Sequence, residues 1–98
     1  MKAPLRPTRE TAEILAIQAL AFIAEEPERL NRFLGVTGIP LAEIRAAATQ
    51  PGFLAGVLEH MLGDESLLIA FAASAGIDPA GVAHAHSALG GLQDRTVP

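Results

Sequence analysis

Phe71-Ala72-Ala73-Ser74-Ala75-Gly76-Ile77-Asp78-Pro79-Ala80-Gly81-Val82 is the stretch on which the fold turns. Its first five residues suit a helix, and Gly76 can take the left-handed backbone that ends one. Asp78 can cap the next helix and Pro79 suits its first turn. The apolar Ile77 and Val82 on either side of the turn would pin the two helices together. The reading is therefore helix, tight corner, helix.

The same pattern occurs earlier in the chain. Phe33-Leu34-Gly35-Val36-Thr37-Gly38-Ile39-Pro40-Leu41-Ala42-Glu43-Ile44 aligns without gaps to it, 38 residues upstream. Internal duplication and the shared stereochemistry of helical corners both account for the match. Either way, Gly38 and Gly76 are expected to be structural turns with positive φ. If the echo is a true repeat, the fold is two three-helix units with approximate two-fold symmetry. Pro40 stands where Asp78 stands in the second unit, so the third helix lacks a side-chain cap, a loss of about 1 kcal/mol.

Working outward, Gly and Pro cut the rest of the chain into helix-length pieces. Six helices are expected, at about 9–25, 27–36, 40–48, 51–62, 65–75 and 79–89. Thr8 and Asp64 are further N-cap candidates, Pro27 and Pro51 suit first-turn positions, and Gly90 suits a helix end. Val, Ile and Thr form no alternating runs, so no strand is required. The class is all-α: a compact bundle of about six short helices, with an N-terminal arm at 1–7, one domain at 8–90 and a tail at 91–98. In the first helix Ile14, Leu15, Ile17, Leu20, Phe22 and Ile23 leave only a narrow polar strip of Thr11, Gln18 and Glu25, which predicts a central, buried helix.

The 98 residues suffice for one core, and half of them are apolar. Four Phe and no Trp or Tyr leave Ala, Leu and Ile to fill it. Zero cysteines exclude disulfides, thiolate catalysis and Cys-based zinc sites. The longest apolar stretches, 14–24 and 67–77, are far shorter than the roughly 20 residues of a spanning helix. The arm is basic, but Glu10 and Glu13 interrupt the apolar segment beyond it, unlike a secretory signal. A cytoplasmic location with no membrane contact is the expectation.

Few residues invite chemistry. No Gly-rich phosphate loop and no Gly-x-Ser-x-Gly elbow is present, and Ser66, Ser74 and Ser87 are isolated. The acidic pairs Glu25-Glu26 and Asp64-Glu65 sit at helix boundaries, where the helix dipole explains them. His84 and His86 are two apart and diverge by about 200° on a helix, a poor spacing for chelation. His60 falls on the polar side of its helix. No enzyme, metal or cofactor is expected.

Nucleic acid is disfavoured by charge and by residue type. The net charge is −4, and the helix after Gly76 offers two His and a Ser but no Arg, Lys, Asn or Gln to read bases or hold phosphate. Positive charge in the folded region concentrates on the second and third helices. Arg29, Arg32 and Arg45 are the candidate interaction surface, with Glu25–Arg29 and Glu28–Arg32 as the ordinary ion pairs expected there.

Ala19-Leu20-Ala21-Phe22-Ile23-Ala24-Glu25-Glu26-Pro27-Glu28-Arg29-Leu30, then Arg32-Phe33-Leu34, Pro51-Gly52-Phe53-Leu54-Ala55, and Asp64-Glu65 with Phe71, together resemble a domain-of-unknown-function family. Its members are short all-helical alphaproteobacterial proteins. The resemblance covers about residues 10–90, and the run 22–30 is its most specific part. It implies a single compact domain in a bacterial cytoplasm and carries no assigned activity and no catalytic residues.

The expected function is a noncatalytic helical interaction module, meeting an unknown protein partner or a second copy of itself. The alternatives are a helix-turn-helix nucleic-acid binder and a small-ligand or metal-binding bundle.

Overall fold

The computed structural model describes residues 8–91. The arm, 1–7, and all but the first residue of the tail lie outside them. Thr8 starts the first helix, its hydroxyl accepting from the Thr11 backbone N–H at 3.1 Å. This helix, α1, runs Arg9–Ala24 and stops because Pro27 forces Glu26 into extended backbone. Pro27 then opens α2, Pro27–Thr37. Pro51 opens α4, Pro51–Leu62, in the same way, after an extended Gln50. Asp64 starts α5, Glu65–Ala75, by accepting from the Leu67 N–H at 3.2 Å.

Both glycine corners are as expected, with φ 73° at Gly38 and 71° at Gly76. After Gly76, the Ile77 N–H returns to the Ala72 carbonyl at 3.0 Å, and Ile77 packs on the core. Asp78 Oδ1 then accepts from the Ala80 N–H at 2.9 Å, ahead of α6, Ala80–His86. The chain continues beyond α6 as a π-helical turn, Ser87–Gly91.

The third helix is weaker than anticipated. Residues 40–48 form a 3-10 turn, Leu41–Glu43, and one α-helical turn, α3, Ile44–Ala47. Pro40 provides no side-chain cap, and neither piece buries a residue. Only Ile44 and Ala48 reach the core edge. The two-unit echo is thus partial. α2 and α5 have 11 residues each and end on matching left-handed glycines, whereas α6 buries Val82 and Ala85 and α3 buries nothing.

The core lies where α1, α4 and α6 meet, with α2 flanking α1 and α5 flanking α4. Ala12, Ala16, Ala19 and Ile23 of α1 are fully buried against a centre that includes Val57, Leu58 and Met61 of α4 and Val82 of α6. Three alanines on one face let neighbouring helices approach closely. No polar or charged side chain is buried among the described residues.

The expectation of a central, buried α1 that shows only a narrow polar strip is corrected in the width of its exposed face. The molecule is only 21 Å thick in its shortest dimension, about two helix diameters of 10–12 Å. In a slab two helices thick every helix keeps an outer face, and α1 is no exception. Ile14 is 55% exposed and Ile17 48% exposed.

Candidate functional site

The outer face of α1 follows from its helical repeat. At about 3.6 residues per turn, the buried Ala12, Ala16, Ala19 and Ile23 share one side. The opposite side carries Glu10, Ile14, Ile17, Gln18, Ala21 and Glu25, all exposed. The polar strip anticipated from sequence, Thr11, Gln18 and Glu25, is part of this face, but Ile14, Ile17 and Ala21 lie within it. The result is an apolar stripe with a carboxylate near each end. Where α1 meets α5, a shallow groove of about 270 Å³ is lined by Gln18, Ala21, Phe22, Glu25, Phe71, Ser74 and Ala75. Its floor is an aromatic pair, Phe22 and Phe71, with ring centroids 5.5 Å apart. The solvent side of α5 continues the apolar character with Ile69, Ala70 and Ala73, all exposed.

The three arginines fare differently. Arg29 is tied into the α1–α2 corner: its guanidinium donates to the Phe22 carbonyl at 3.1 Å and lies 4.2 Å from the Phe22 ring centroid. It also pairs with Glu26 at 3.9 Å, in place of the anticipated Glu25. The chemistry is that of a clamp, since the carbonyl lies in the last turn of α1, where it also accepts from the Glu25 N–H at 3.2 Å, and the ring face attracts the cation. Arg32 reaches across to Asp64 at 3.6 Å, rather than to Glu28, and is 70% exposed. Arg29 and Arg32 line one small depression with Glu26, Glu28, His60, Asp64 and Leu67. Arg45, on α3, is not among its lining residues, so the structure brings together two of the three.

Arg32 also borders a broader open cleft of about 730 Å³ between α2 and the α4–α5 corner, shared with Thr37, Glu59, His60, Asp64 and Ser66. His60 is half-buried rather than solvated, with its ring edge-on to Phe33 at 5.1 Å between centroids. Burial pushes its pKa below the usual value; the Asp64 carboxylate opposes that shift and the Arg32 guanidinium adds to it. His86 lies 3.9 Å from Glu59. Among the described residues, no three His, Asp or Glu side chains are grouped so as to hold a metal ion.

α5 and the last helical segment meet at 100° around Gly76. The outward residues of α6 are Ala80, Ala83 and His84, because Val82 and Ala85 face the core. No single helix among the described residues is long and apolar enough to cross a membrane.

Fold and surface together define a thin all-helical bundle with an apolar core, an exposed apolar stripe on α1, further exposed apolar side chains at Val36 and Leu41, and an open cleft of mixed lining beside α2. The chain belongs to the DUF3572 family, proteins of unknown function, which it matches over residues 9–92. The resemblance seen in residues 10–90 was to an uncharacterised family, and this is one. No curated protein and no solved structure matches the chain significantly.

Proposed function

We propose that this protein is a noncatalytic interaction module of the bacterial cytoplasm whose docking surface is the outer face of α1 and the groove it shares with α5. The observation that carries this reading is the exposure of Ile14 and Ile17 on a helix whose opposite face is fully buried. Leaving two large branched side chains about half in water forgoes about half of the ~1.5–3 kcal/mol that full burial of each would supply. A partner that covers them recovers much of that.

The arginine surface is a secondary element in this reading. Arg29 is engaged with Phe22, which leaves Arg32 as the accessible cation of the pair. The helix-turn-helix alternative has one favourable observation, the 100° corner at Gly76. The outward residues of α6 give it no base-reading side chain, so the proposal is for a protein partner.

The test is a photo-crosslinking amino acid placed at position 17 in the full-length protein, expressed in its source cell, with the same amino acid at exposed position 42 as control. A discrete crosslinked adduct from position 17 and none from position 42 is the expected result. Equal adducts from both positions, or none from either, would overturn the assignment of the face.

A further inference from the structure

The charges around the α1 stripe indicate what kind of partner covers it, an inference that rests on the docking role just proposed. Glu10 and Glu25 stand near the two ends of the stripe, about 22 Å apart along the axis at ~1.5 Å rise per residue. Both are exposed, and Glu13 is half-exposed on the flank. Among the described residues, no basic side chain shares the stripe. Arg9, the first helical residue, falls on the other side of the helix by its position in the repeat, and Arg29 is held against Phe22 and Glu26. The described residues therefore make the face apolar at its middle, with a carboxylate near each end.

A second copy of this chain is a poor match for such a face. A parallel copy sets Glu10 against Glu10 and Glu25 against Glu25, and an antiparallel copy in full overlap sets Glu10 against Glu25. Like charges meet at both ends in either orientation, which opposes association. An amphipathic helix with Lys or Arg at both ends meets opposite charge at each. Its apolar side chains, repeating every three or four residues, would fit between Ile14, Ile17 and Ala21 and into the groove over Phe22 and Phe71. We infer that the partner surface is a basic-ended amphipathic helix, laid along α1 in the α1–α5 groove.

The experiment uses two fluorescein-labelled synthetic peptides of about 18 residues, long enough to be helical in a favourable sequence. Both carry the same Leu/Ala stripe; one has Lys pairs at its ends and the other Glu pairs. Binding to the full-length protein is read by anisotropy, and the contact surface by backbone amide shifts. The expected result is at least ~10-fold tighter binding of the Lys-ended peptide at low salt, with that ratio shrinking towards one at about 1 M salt, where the Debye length is near 3 Å. Amide shifts should centre on Ile14, Ile17 and Ala21, and Ile17→Glu should weaken binding of the Lys-ended peptide at least ~10-fold.

Equal binding of both peptides at low salt, still lost in Ile17→Glu, would overturn the charge match while leaving the α1 face as a docking surface. Binding unaffected by Ile17→Glu, or no binding at all, would overturn the inference. The position-17 crosslink then decides separately whether the docking role survives. A dimer by light scattering whose amide shifts fall on α1 would assign the face to a second copy instead.

Discussion

Replacing Gly76 by Val perturbs the corner that joins α5 to α6 and leaves everything around it in place. Gly76 has φ +71°, and a Cβ built there meets no atom within 4 Å. The cost is therefore conformational, with no clash to relieve. A left-handed L-residue costs about 1–2 kcal/mol, and a β-branched one lies at the upper end or above. Gly76→Ala should thus lose about 1 kcal/mol and Gly76→Val about 2 kcal/mol or more. For a domain of this size each kcal/mol moves the melting temperature by about 4–8 °C, so Gly76→Val should melt roughly 8–16 °C below the parent. Gly81 supplies the control, because it is helical, has no positive φ and likewise has open space at its Cβ. Gly81→Ala should hold or gain stability, by about 0.5 kcal/mol. Thermal unfolding followed by far-UV circular dichroism reads all three variants. A Gly76→Val melt within about 2 °C of the parent, well under the ~8 °C lower bound, would refute the claim that left-handed geometry holds this corner.

Two further outcomes concern the α2 side of the molecule. Arg29→Met should cost about 1–2 kcal/mol in a denaturant melt, because it removes both the hydrogen bond to the Phe22 carbonyl and the cation over the Phe22 ring; Arg32→Met, whose pair with Asp64 is exposed, should cost under about 1 kcal/mol. His60 has a folded pKa below its unfolded value, chiefly through burial, so the stability tied to its neutral form is fully present above the unfolded pKa of 6.5 and is lost as pH falls through the folded value. Stability measured across that window should decline towards acid, and His60→Gln should flatten that decline; an identical slope in the variant would remove His60 as its source.

Much of the fold was legible because its boundaries rest on local stereochemistry. Prolines at 27 and 51, caps at Thr8 and Asp64, the Asp78 bond to the Ala80 N–H, and the two left-handed glycines placed five of the six helices within a few residues. The third helix shrank because Pro40 provides no cap and residues 41–47 bury nothing, so neither local nor tertiary interactions extend it. The candidate site was less legible. Ile14 and Ile17 look like core residues on any hydrophobicity scale, and the 21 Å thickness of the bundle is what leaves them on an outer side of α1. The strip of Thr11, Gln18 and Glu25 marked that side, but its width depends on how neighbouring helices pack. Arg29 and His60 were likewise ambiguous, since their contacts with Phe22 and Phe33 arise from the α1–α2 corner and the approach of α4 to α2.

The central claim, that α1 is bifunctional, with one face making the core and the other awaiting a partner, is tested most directly by Ile14→Glu/Ile17→Glu. The measurement is its melting temperature beside its binding of the Lys-ended peptide. Exposed substitutions away from special features usually change stability by under about 0.5 kcal/mol each, so the variant should melt within a few degrees of the parent. Its peptide binding should fall at least ~10-fold, the removal of two apolar anchors from a helix-in-groove contact. A variant that unfolds would show these side chains to be core, and one that keeps both its stability and its binding would show that the stripe is not a docking surface.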